Sequence, residues 1–403
     1  MSDLRLERKV VWLSGLIQLA NVLDFMIILP LGPDLTTEIK IPSSQMGLVN
    51  GIYTFAAAFS AVIMARFLDR FDRKKAVVFF LIGLSISTFL TAFSWDTTSM
   101  LAARTLAGLF GGPVTALSLS MVVDMVPISR RGRALAIVTS AFTVASVFGI
   151  PLGLELALQF NWQMPFYAIA SFAAFVTIGV IVLLPSMTGH IDHESDVPQT
   201  ISIAEMLSRR EIQLSFLLMA LTSFSAFIMI ASTINYFTFN LNFPRAELAE
   251  LYIVGGVISF IAMMLTGRIV DLYGARLLSF LTALFYACVI ADGFGHIPYM
   301  PVLLVFCFFM MSSAIMSVIS STIASEAPGQ HERAAFMSLQ TTVRHLAAGA
   351  GGLISSLILI SDESGKLYNI PIVATISILC IISIPIIVVL LRKELNLIKK
   401  VKY

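Results

Sequence analysis

The chain has 403 residues, of which 58% are hydrophobic and 12% are charged, and its mean hydropathy is +0.90. A soluble domain carries roughly 25% charged residues. This composition therefore excludes a soluble fold, and no polar stretch is long enough for an appended soluble domain. The formal charge of +2 says little by itself. Three cysteines inside apolar runs, an odd number without ligand spacing, predict neither a disulfide framework nor a metal site.

Apolar runs of about 20 residues, long enough to cross a bilayer as helices, recur along almost the whole chain. The first, from Val10 to Pro30, is too long for the apolar core of a signal peptide and lacks a small-residue cleavage site. A polar segment at 186–210 predicts a linker between two bundles at 1–185 and 211–403. The predicted spans are 10–31, 45–66, 75–95, 99–124, 134–158, 164–185, 211–237, 247–269, 277–297, 299–325, 334–360 and 369–391.

The distribution of basic residues predicts the orientation, because Lys and Arg are enriched in cytoplasmic loops. If both termini are cytoplasmic, only Lys40, Arg245 and Lys366 fall in outer loops, and Arg104 and Arg344 fall within spans. All the other Lys and Arg residues then lie on the cytoplasmic side. We therefore expect a multi-pass protein of the cell inner (plasma) membrane with both termini in the cytoplasm.

Two loop signatures recur in the second half of the chain. The run ARFLDRFDRK around Asp69 ends the second span, and GRIVDLYGAR around Asp271 ends the eighth, 202 positions later. Pro127 follows the fourth span and Pro328 follows the tenth, 201 positions later. Two signatures at nearly the same offset predict a duplicated six-helix half with parallel repeats.

Several segments resemble signatures of the major facilitator superfamily. The run from Ala65 to Lys75 is similar to the loop signature of that family, with Ala65 and Asp72 in place of its two glycines. The run RTLAGLFGG from Arg104 resembles the fourth-helix signature of proton-coupled drug antiporters. The run GIPLGLELA from Gly149 resembles the fifth-helix antiporter signature of arabinose-efflux-like members. The resemblance implies an all-α membrane protein with twelve transmembrane helices in two pseudo-symmetric six-helix bundles.

Asp24 and Arg104 are ionisable residues inside predicted spans, where an isolated charge costs roughly 2.5–3.5 kcal/mol. Asp24 lies about 21 Å past Val10, and Arg104 lies about 6 Å past Met100 from the opposite side, so their depths nearly coincide. They are either a fixed ion pair that joins helix one to helix four, or a proton site. In the second interpretation Asp24 carries the proton and Arg104 tunes its proton affinity. Asn21, on the same polar stripe as Asp24, joins both residues as a substrate-binding candidate.

The loop after the second span is a candidate cytoplasmic gate. The resemblance pairs its first aspartate with a loop arginine and with an acid on helix four. Such a charge latch would hold the two halves closed, and breaking it should shift the conformational population rather than abolish binding. The alternative is a solvated basic loop that only sets the orientation. The gating candidates are Asp69, Arg70, Arg73, Asp124 and Asp271.

The fifth span carries a third intramembrane charge, Glu155, close to its outer end. Glu155 is a rim glutamate that reaches the surface, a second proton carrier, or a group that contacts a cationic substrate. In the same span, we expect Gly149, Pro151 and Gly153 to permit close packing and a bend at the interface between the halves.

Arg344 and His345 lie near the middle of the eleventh span, where the second half offers no obvious acidic partner. We expect Arg344 to line the central cavity and to meet an anionic group of the substrate. The alternative is an arginine satisfied by backbone carbonyls and water. His345 is a second substrate-binding candidate, although a lone histidine is more often a hydrogen-bonded packing residue.

The residues favour a secondary transporter that moves a small organic solute by alternating access, with proton-coupled efflux as the leading hypothesis. The alternative is an importer or facilitator of an anionic metabolite bound by Arg344. A receptor or scaffold is disfavoured by the duplicated gating loops. The sequence holds no catalytic triad, metal spacing or Walker motif, which argues against an enzyme or ATP drive. The expected partners are the lipid bilayer, the solute and protons, with no nucleic acid and no cofactor, and we expect a monomer.

Overall fold

The computed structural model describes residues 4–68, 70–188, 203–329 and 332–401, and it is almost entirely helical, which confirms the predicted all-α class. The first half contains nine helices within these residues. They are α1 (Leu4–Ile27), α2 (Gly32–Glu38), α3 (Met46–Leu68), α4 (Arg73–Thr91), α5 (Thr97–Met125), α6 (Ile128–Thr139), α7 (Ala141–Val144), α8 (Ile150–Gln159) and α9 (Met164–Leu183).

The described part of the second half contains seven helices and one small hairpin. The strands β1 (Ile360–Ser361) and β2 (Leu367–Tyr368) pair antiparallel, with Ile360 opposite Tyr368. The helices are α10 (Ile203–Ser208), α11 (Arg210–Asn235), α12 (Leu248–Tyr273), α13 (Ala275–Gly295), α14 (Val302–Ala324), α15 (Arg333–Ile358) and α16 (Ile370–Val401).

Eleven helical segments among the described residues are long and apolar enough to cross a membrane, so the chain is a multi-pass membrane protein. The helix α15 has 26 residues, about 39 Å at 1.5 Å per residue, and is also long enough. It is less apolar than the others because Arg344 and His345 occupy its middle. With α15 included, the helices follow the twelve predicted spans in order. The largest difference is at the last span, since α16 continues to Val401, ten residues past the predicted end.

The fifth span is not one regular helix. Between Ser129 and Gln159 it consists of α6, α7, a π-helical turn at Ala145–Gly149 and α8. Pro151 lies two residues after that turn, and proline has no N–H to donate to the preceding turn of a helix. The wider π-helical turn therefore lies where the regular hydrogen-bond ladder is interrupted.

Contacts divide the chain into two compact units, one formed by 1–41 and 52–198 and the other by 42–51 and 199–403. In the first unit α4 packs along α5 and α9, and α1 packs along α5. The buried core shared by these four helices is apolar, as expected for helices that pack through their buried faces. It includes Ile17, Leu81, Leu117 and Val180.

In the second unit α11 packs along α15 and α16, and α12 packs along α14. Asn240, at the end of the π-helical turn that follows α11, fixes the hairpin. Its Nδ2 donates to the carbonyl oxygen of Leu367 at 2.8 Å, and its Oδ1 accepts from the amide of Leu367 at 2.9 Å. The side-chain amide thus pairs with β2 as a neighbouring strand would.

The segment 42–51, which includes the first turns of α3, belongs to the second unit, a division that the predicted boundaries at 185 and 211 did not anticipate. A Cβ atom at Gly47 would overlap the carbonyl oxygen of Gly352, so the two backbones touch. Nearby, Asn235 Nδ2 donates to Ser43 Oγ at 3.0 Å. The amide of Leu48 donates to a serine hydroxyl of α15 at 2.7 Å. The start of α3 is therefore held by α11 and α15.

Candidate functional site

A polar seam joins α1 and α5 in the first unit. Polar residues recur every three or four positions on one face of α1, and on α5 Gly108 and Gly111 lie on the same face as Arg104, Thr115 and Ser118. Asn21 Nδ2 donates to Thr115 Oγ1 at 2.8 Å, and Ser118 Oγ donates to Gln18 Oε1 at 3.1 Å. The predicted polar stripe of α1 therefore faces α5.

Asp24 and Arg104 form an ion pair at one end of this seam, and both side chains are fully buried. Arg104 Nη1 donates to Asp24 Oδ1 at 3.0 Å, and Arg104 Nη2 donates to the backbone carbonyl of Asp24 at 2.9 Å. The hydroxyl of Thr88 on α4 donates to the same Oδ1 at 2.8 Å. The structure thus brings together the two charges whose depths were predicted to coincide, while their role in proton coupling or substrate binding stays a prediction.

Tyr53, on α3, completes the site from a third direction. Its ring centroid lies 4.5 Å from the guanidinium carbon of Arg104, which is a cation–π distance. Its hydroxyl donates to Asn21 Oδ1 at 3.2 Å. A Cβ at Gly108 would overlap the backbone carbonyl of Tyr53, and one at Gly111 would overlap its hydroxyl. Gly108 and Gly111 therefore let α3 approach Arg104.

The ion pair has unused hydrogen-bonding capacity. Asp24 Oδ2 and Arg104 Nε have no hydrogen-bond partner among the described residues. A buried polar atom without a partner carries a desolvation penalty. Such atoms point to a water, a proton or a solute group that completes the site.

One residue of the candidate gating loop is paired with helix four. Arg73 Nε donates to Asp124 Oδ2 at 3.1 Å, so the loop arginine and the acid on helix four are paired. Arg70 is exposed. Asp69 lies outside the described residues, and so does the side chain of Asp271. Their predicted gating roles stay predictions.

Asp72, which stands where the family signature has a glycine, caps α4. Its carboxylate accepts from Ser186 Oγ at 2.6 Å and from the amides of Lys74 and Met187, both at 2.9 Å. Burial alone would raise the pKa of Asp72, but these hydrogen bonds outweigh it and hold the pKa below its ordinary value. Lys74 Nζ in turn donates to the carbonyl of Leu184 at 2.6 Å. The loop is therefore fastened to the end of α9.

The signature in the fifth span packs against α1. A Cβ at Gly149 would overlap Leu23, and a Cβ at Gly153 would meet Ile27 at 2.5 Å. Both neighbours belong to α1 of the same unit, and their branched side chains fill the space left by the missing Cβ atoms. The role of these glycines and of Pro151 at the interface between the halves stays a prediction.

Glu155 is separate from the buried pair. Its side chain is exposed and its Oε1 accepts from Gln159 Nε2, one turn later, at 2.6 Å. Leu152, on the same face of α8, is also exposed. The structure therefore does not bring Glu155 to Asp24 and Arg104, and its predicted proton-carrying role rests on the sequence alone.

Arg344 and His345 lie on α15 of the second unit. Arg344 is exposed, and its Nη2 donates to Ser317 Oγ on α14 at 3.3 Å. Among the described residues it has no carboxylate within ion-pair distance. His345 is half-buried. Toward the N-terminal end of α15 the same two helices enclose a cavity of about 420 Å³, lined by Ser321, Ser325, Pro328, Phe336, Met337 and Gln340.

Sequence reasoning missed Tyr53 and Thr88. Both lie in spans that read as apolar, and neither belongs to a predicted polar stripe or to a family signature. A signal existed only for Thr88, which stands beside Ser87 and close to Thr91 on α4. Within the described residues, no group of three or more His, Cys, Asp or Glu could hold a metal ion.

The family model of the Major Facilitator Superfamily matches residues 15–352, more than half of the chain. This match supports a membrane transporter. The chain belongs to the Major Facilitator Superfamily.

Solved structures of transporters share the fold along nearly the full length. A D-xylose–proton symporter has a TM-score of 0.74 at 14% identity, with 93% of this chain and 96% of that chain covered. The nucleoside transporter NupG has a TM-score of 0.74 at 14% identity, with 96% and 99% covered. A bacterial homologue of the human lysosomal transporter Spinster, inward-facing and unoccupied, has a TM-score of 0.70 at 16% identity, with 97% and 96% covered. The likeness confirms the predicted fold of two six-helix bundles.

Proposed function

We propose that this transporter exports a small organic solute in exchange for protons, with Asp24 as the proton-carrying group. The observation that carries the proposal is the fully buried ion pair of Asp24 and Arg104, in which one carboxylate oxygen has no partner among the described residues. Burying an ion pair gives little net stability, because the loss of hydration offsets most of the attraction. A buried pair in a transporter is therefore better explained by a change of charge during the cycle.

Protonation of Asp24 would remove the negative charge of the ion pair, but Arg104 would keep its other contacts. The guanidinium would keep the backbone carbonyl of Asp24 and the ring of Tyr53 as partners. The hydrogen bond from Thr88 to the carboxyl would weaken once that group is neutral. Since Asp24, Thr88 and Arg104 lie on α1, α4 and α5, a change in this one charge alters contacts among three helices. This is how proton binding would bias a conformational equilibrium.

The direction of transport rests on the fifth-span signature. Gly149 and Gly153 in the run GIPLGLELA resemble the antiporter signature, and they fit α8 closely against α1, the helix that carries Asp24. The proton-carrying helix and the signature helix are therefore in direct contact. The competing mode of coupling is symport. A D-xylose–proton symporter with the same fold is an example of this mode.

The test is transport in proteoliposomes under an imposed pH gradient, with a panel of sugars, nucleosides and amphipathic drugs. Asp24→Asn should abolish gradient-driven solute movement and spare exchange of solute in the absence of a gradient. Glu363→Gln removes one exposed carboxylate from the turn between β1 and β2 and should change neither activity. Retained exchange shows that the Asp24 variant is folded. Full gradient-driven transport by that variant would disprove the proposed proton site.

The alternative is an importer or facilitator of an anionic metabolite, and it is favoured by the exposed guanidinium of Arg344. Arg344 has a serine hydroxyl but no carboxylate partner among the described residues, which leaves its charge available to a carboxylate or phosphate. Under this alternative, Arg344→Ala abolishes binding of anionic solutes, and Asp24→Asn has no effect on uptake. Thermal-shift titrations of both variants against the same solute panel distinguish the two functions.

We further propose that the protein lies in the cell inner (plasma) membrane as a monomer with both termini in the cytoplasm. The hairpin turn from Asp362 to Lys366 would then face the outside. A single cysteine at Ser364 in a chain without its native cysteines should react with a membrane-impermeant maleimide in intact cells. Reaction only after the cells are broken would indicate the opposite orientation, with the termini outside.

A further inference from the structure

A basic cavity lies where α13 begins and α16 approaches its end in the second unit. It has a volume of about 180 Å³ and is lined by Arg276, Lys393, Asn396 and Leu397. This is several times the roughly 30 Å³ that one water molecule occupies in the liquid. Arg276 is the second residue of α13, and α13 packs along α16. Two cations and one amide therefore converge on a space that a small polar group can fill.

The charges of this cavity are not neutralised by the described residues. Neighbouring basic residues of the same unit are paired: Arg392 lies 2.8 Å from Glu326, and Arg210 lies 3.3 Å from Glu394. Arg276 and Lys393, in contrast, have no ion pair or side-chain hydrogen bond among the described residues, and both are exposed. Like charges that face one space without a counter-charge repel each other, so the cavity favours an anion.

The depth of the cavity corresponds to the phosphate region of a bilayer. Lys393 follows Ile370, the first residue of α16, by 23 positions, about 35 Å along the helix. The hydrocarbon core is only about 30 Å thick, so Lys393 lies just beyond it. Arg276 begins a helix of 21 residues, about 31 Å long, which places it at the same boundary.

Apolar side chains continue from the cavity toward the hydrocarbon. Leu277 and Phe280, which follow Arg276 along α13 into the membrane, are 52% and 58% exposed, and Tyr273, just before α13, is 68% exposed. Tyrosine is enriched at the membrane interface, where its ring and its hydroxyl meet different surroundings. A ligand of this cavity therefore meets cations at one end and apolar surface at the other. An amphipathic anion fits these surroundings better than a fully hydrophilic anion does.

We propose that this cavity binds the phosphate of one anionic phospholipid. The Arg276 guanidinium and the Lys393 ammonium hold the phosphate oxygens, the Asn396 amide donates to the glycerol or headgroup oxygens, and the acyl chains lie along Leu277 and Phe280. Guanidinium and ammonium groups are the usual protein partners of phosphate. The site is independent of the direction of transport and of the proton-carrying role of Asp24.

The test is native mass spectrometry of the full chain after delipidation and return of defined lipids. Wild type should retain one phosphatidylglycerol in preference to phosphatidylcholine. Because each basic residue near an anionic headgroup contributes about fivefold to affinity, Arg276→Gln/Lys393→Gln should lower that preference by up to about thirtyfold. The matched control is Arg8→Gln/Lys9→Gln, which removes two exposed cations at the start of α1, where no side-chain partner is seen among the described residues. The control should retain the lipid as wild type does.

A second measurement separates a lipid from a free anion and checks folding. In thermal-shift experiments, phosphatidylglycerol should stabilise wild type and the control but not the cavity variant, while inorganic phosphate should stabilise none of them. Equal retention of phosphatidylglycerol by all three proteins would overturn the proposal. Stabilisation by inorganic phosphate that matches the lipid, and competition between the two, would also overturn it in favour of a soluble anion site.

Discussion

Three kinds of partner surround the guanidinium of Arg104: the carboxylate of Asp24, a backbone carbonyl and the face of the Tyr53 ring. The carboxylate supplies a full negative charge, while the carbonyl and the ring attract the guanidinium without one. A cation over an aromatic ring contributes about 2 kcal/mol when both are desolvated. Under the proposed function, Tyr53 is the residue that would stabilise the buried arginine when Asp24 carries a proton.

Replacement of Tyr53 tests this role. Tyr53→Leu removes the ring and should lower the free energy of unfolding by about 2 kcal/mol more than Tyr53→Phe. The phenylalanine variant loses only the hydrogen bond to Asn21, worth about 1 kcal/mol. Chemical unfolding in detergent provides the measurement, and a double-mutant cycle with Arg104→Met isolates the contact. Equal costs for the two Tyr53 variants would contradict it.

Among the elements, α5 depends on glycine where it crosses α3. A Cβ at Gly108 or Gly112 would overlap backbone carbonyls of α3, which cannot rotate away as side chains do. Gly15 in α1, by comparison, has open space around it, since a Cβ there would meet no atom within 4 Å. Replacement of glycine by alanine should therefore destabilise the protein at Gly108 and stabilise it at Gly15.

Gly108→Ala should destabilise the protein by about 1–3 kcal/mol, because it overpacks the crossing, and should also displace Arg104 from Tyr53. Gly15→Ala should stabilise it by up to about 1 kcal/mol, the gain in helix propensity. Thermal unfolding of both variants, with transport of the identified solute, is the measurement. A neutral Gly108→Ala would mean that α3 and α5 do not touch at this point.

The cap of α4 gives a prediction of pH dependence. Hydrogen bonds hold the pKa of Asp72 below its ordinary value, so the folded state favours the charged form. Its contribution is complete above the unfolded pKa of about 3.9 and is lost as the pH falls through the lower folded pKa. Asp72→Asn should therefore lower the midpoint of thermal unfolding at pH 7, and the difference from wild type should shrink below about pH 4. A constant difference across that range would show that the charge of Asp72 contributes nothing.

Sequence periodicity was sufficient for much of this architecture. Hydropathy located the helices, and helical spacing placed Asn21 and Asp24 on the face that meets α5, because polar stripes in an apolar helix leave few alternatives. Periodicity could not identify Tyr53 or Thr88, because a hydroxyl or a ring acquires its partner only when helices that are distant in sequence pack together. The helix that packs against Gly149 and Gly153 could also be identified only from the structure, because a small residue does not specify which helix approaches it.

At the scale of the whole molecule, the scaffold is duplicated but the charged site is not. At the repeat offset of 202 positions, Asp24 corresponds to Ala226 and Arg104 corresponds to Phe306, both buried. One half thus holds the buried ion pair, and the other holds Arg344 in a helix that is less apolar than the rest. Under the proposed function, proton coupling belongs to the first half, while the second half is left to contribute to solute recognition.

The segment 42–51 permits a test of how the molecule is assembled. Ser43 is fully buried and accepts from Asn235 of the second unit. In a background without native cysteines, Ser43→Cys should react with maleimide when a fragment ending at 198 is made alone. Co-expression of the fragment 199–403 should protect it, whereas exposed Ser364→Cys in the fragment 199–403 should react with or without the first fragment. Protection in the isolated first fragment would contradict the packing of this segment on α11 and α15.

The polarity of α15 has a consequence for biosynthesis. A helix with arginine and histidine at its middle partitions poorly from the translocon into lipid, and Arg344 and His345 stand at that position. The helix against which it packs most extensively, α11, is synthesised earlier. After its synthesis, α11 therefore remains in the membrane with one face uncovered. That face is covered when α15 leaves the ribosome and inserts against it.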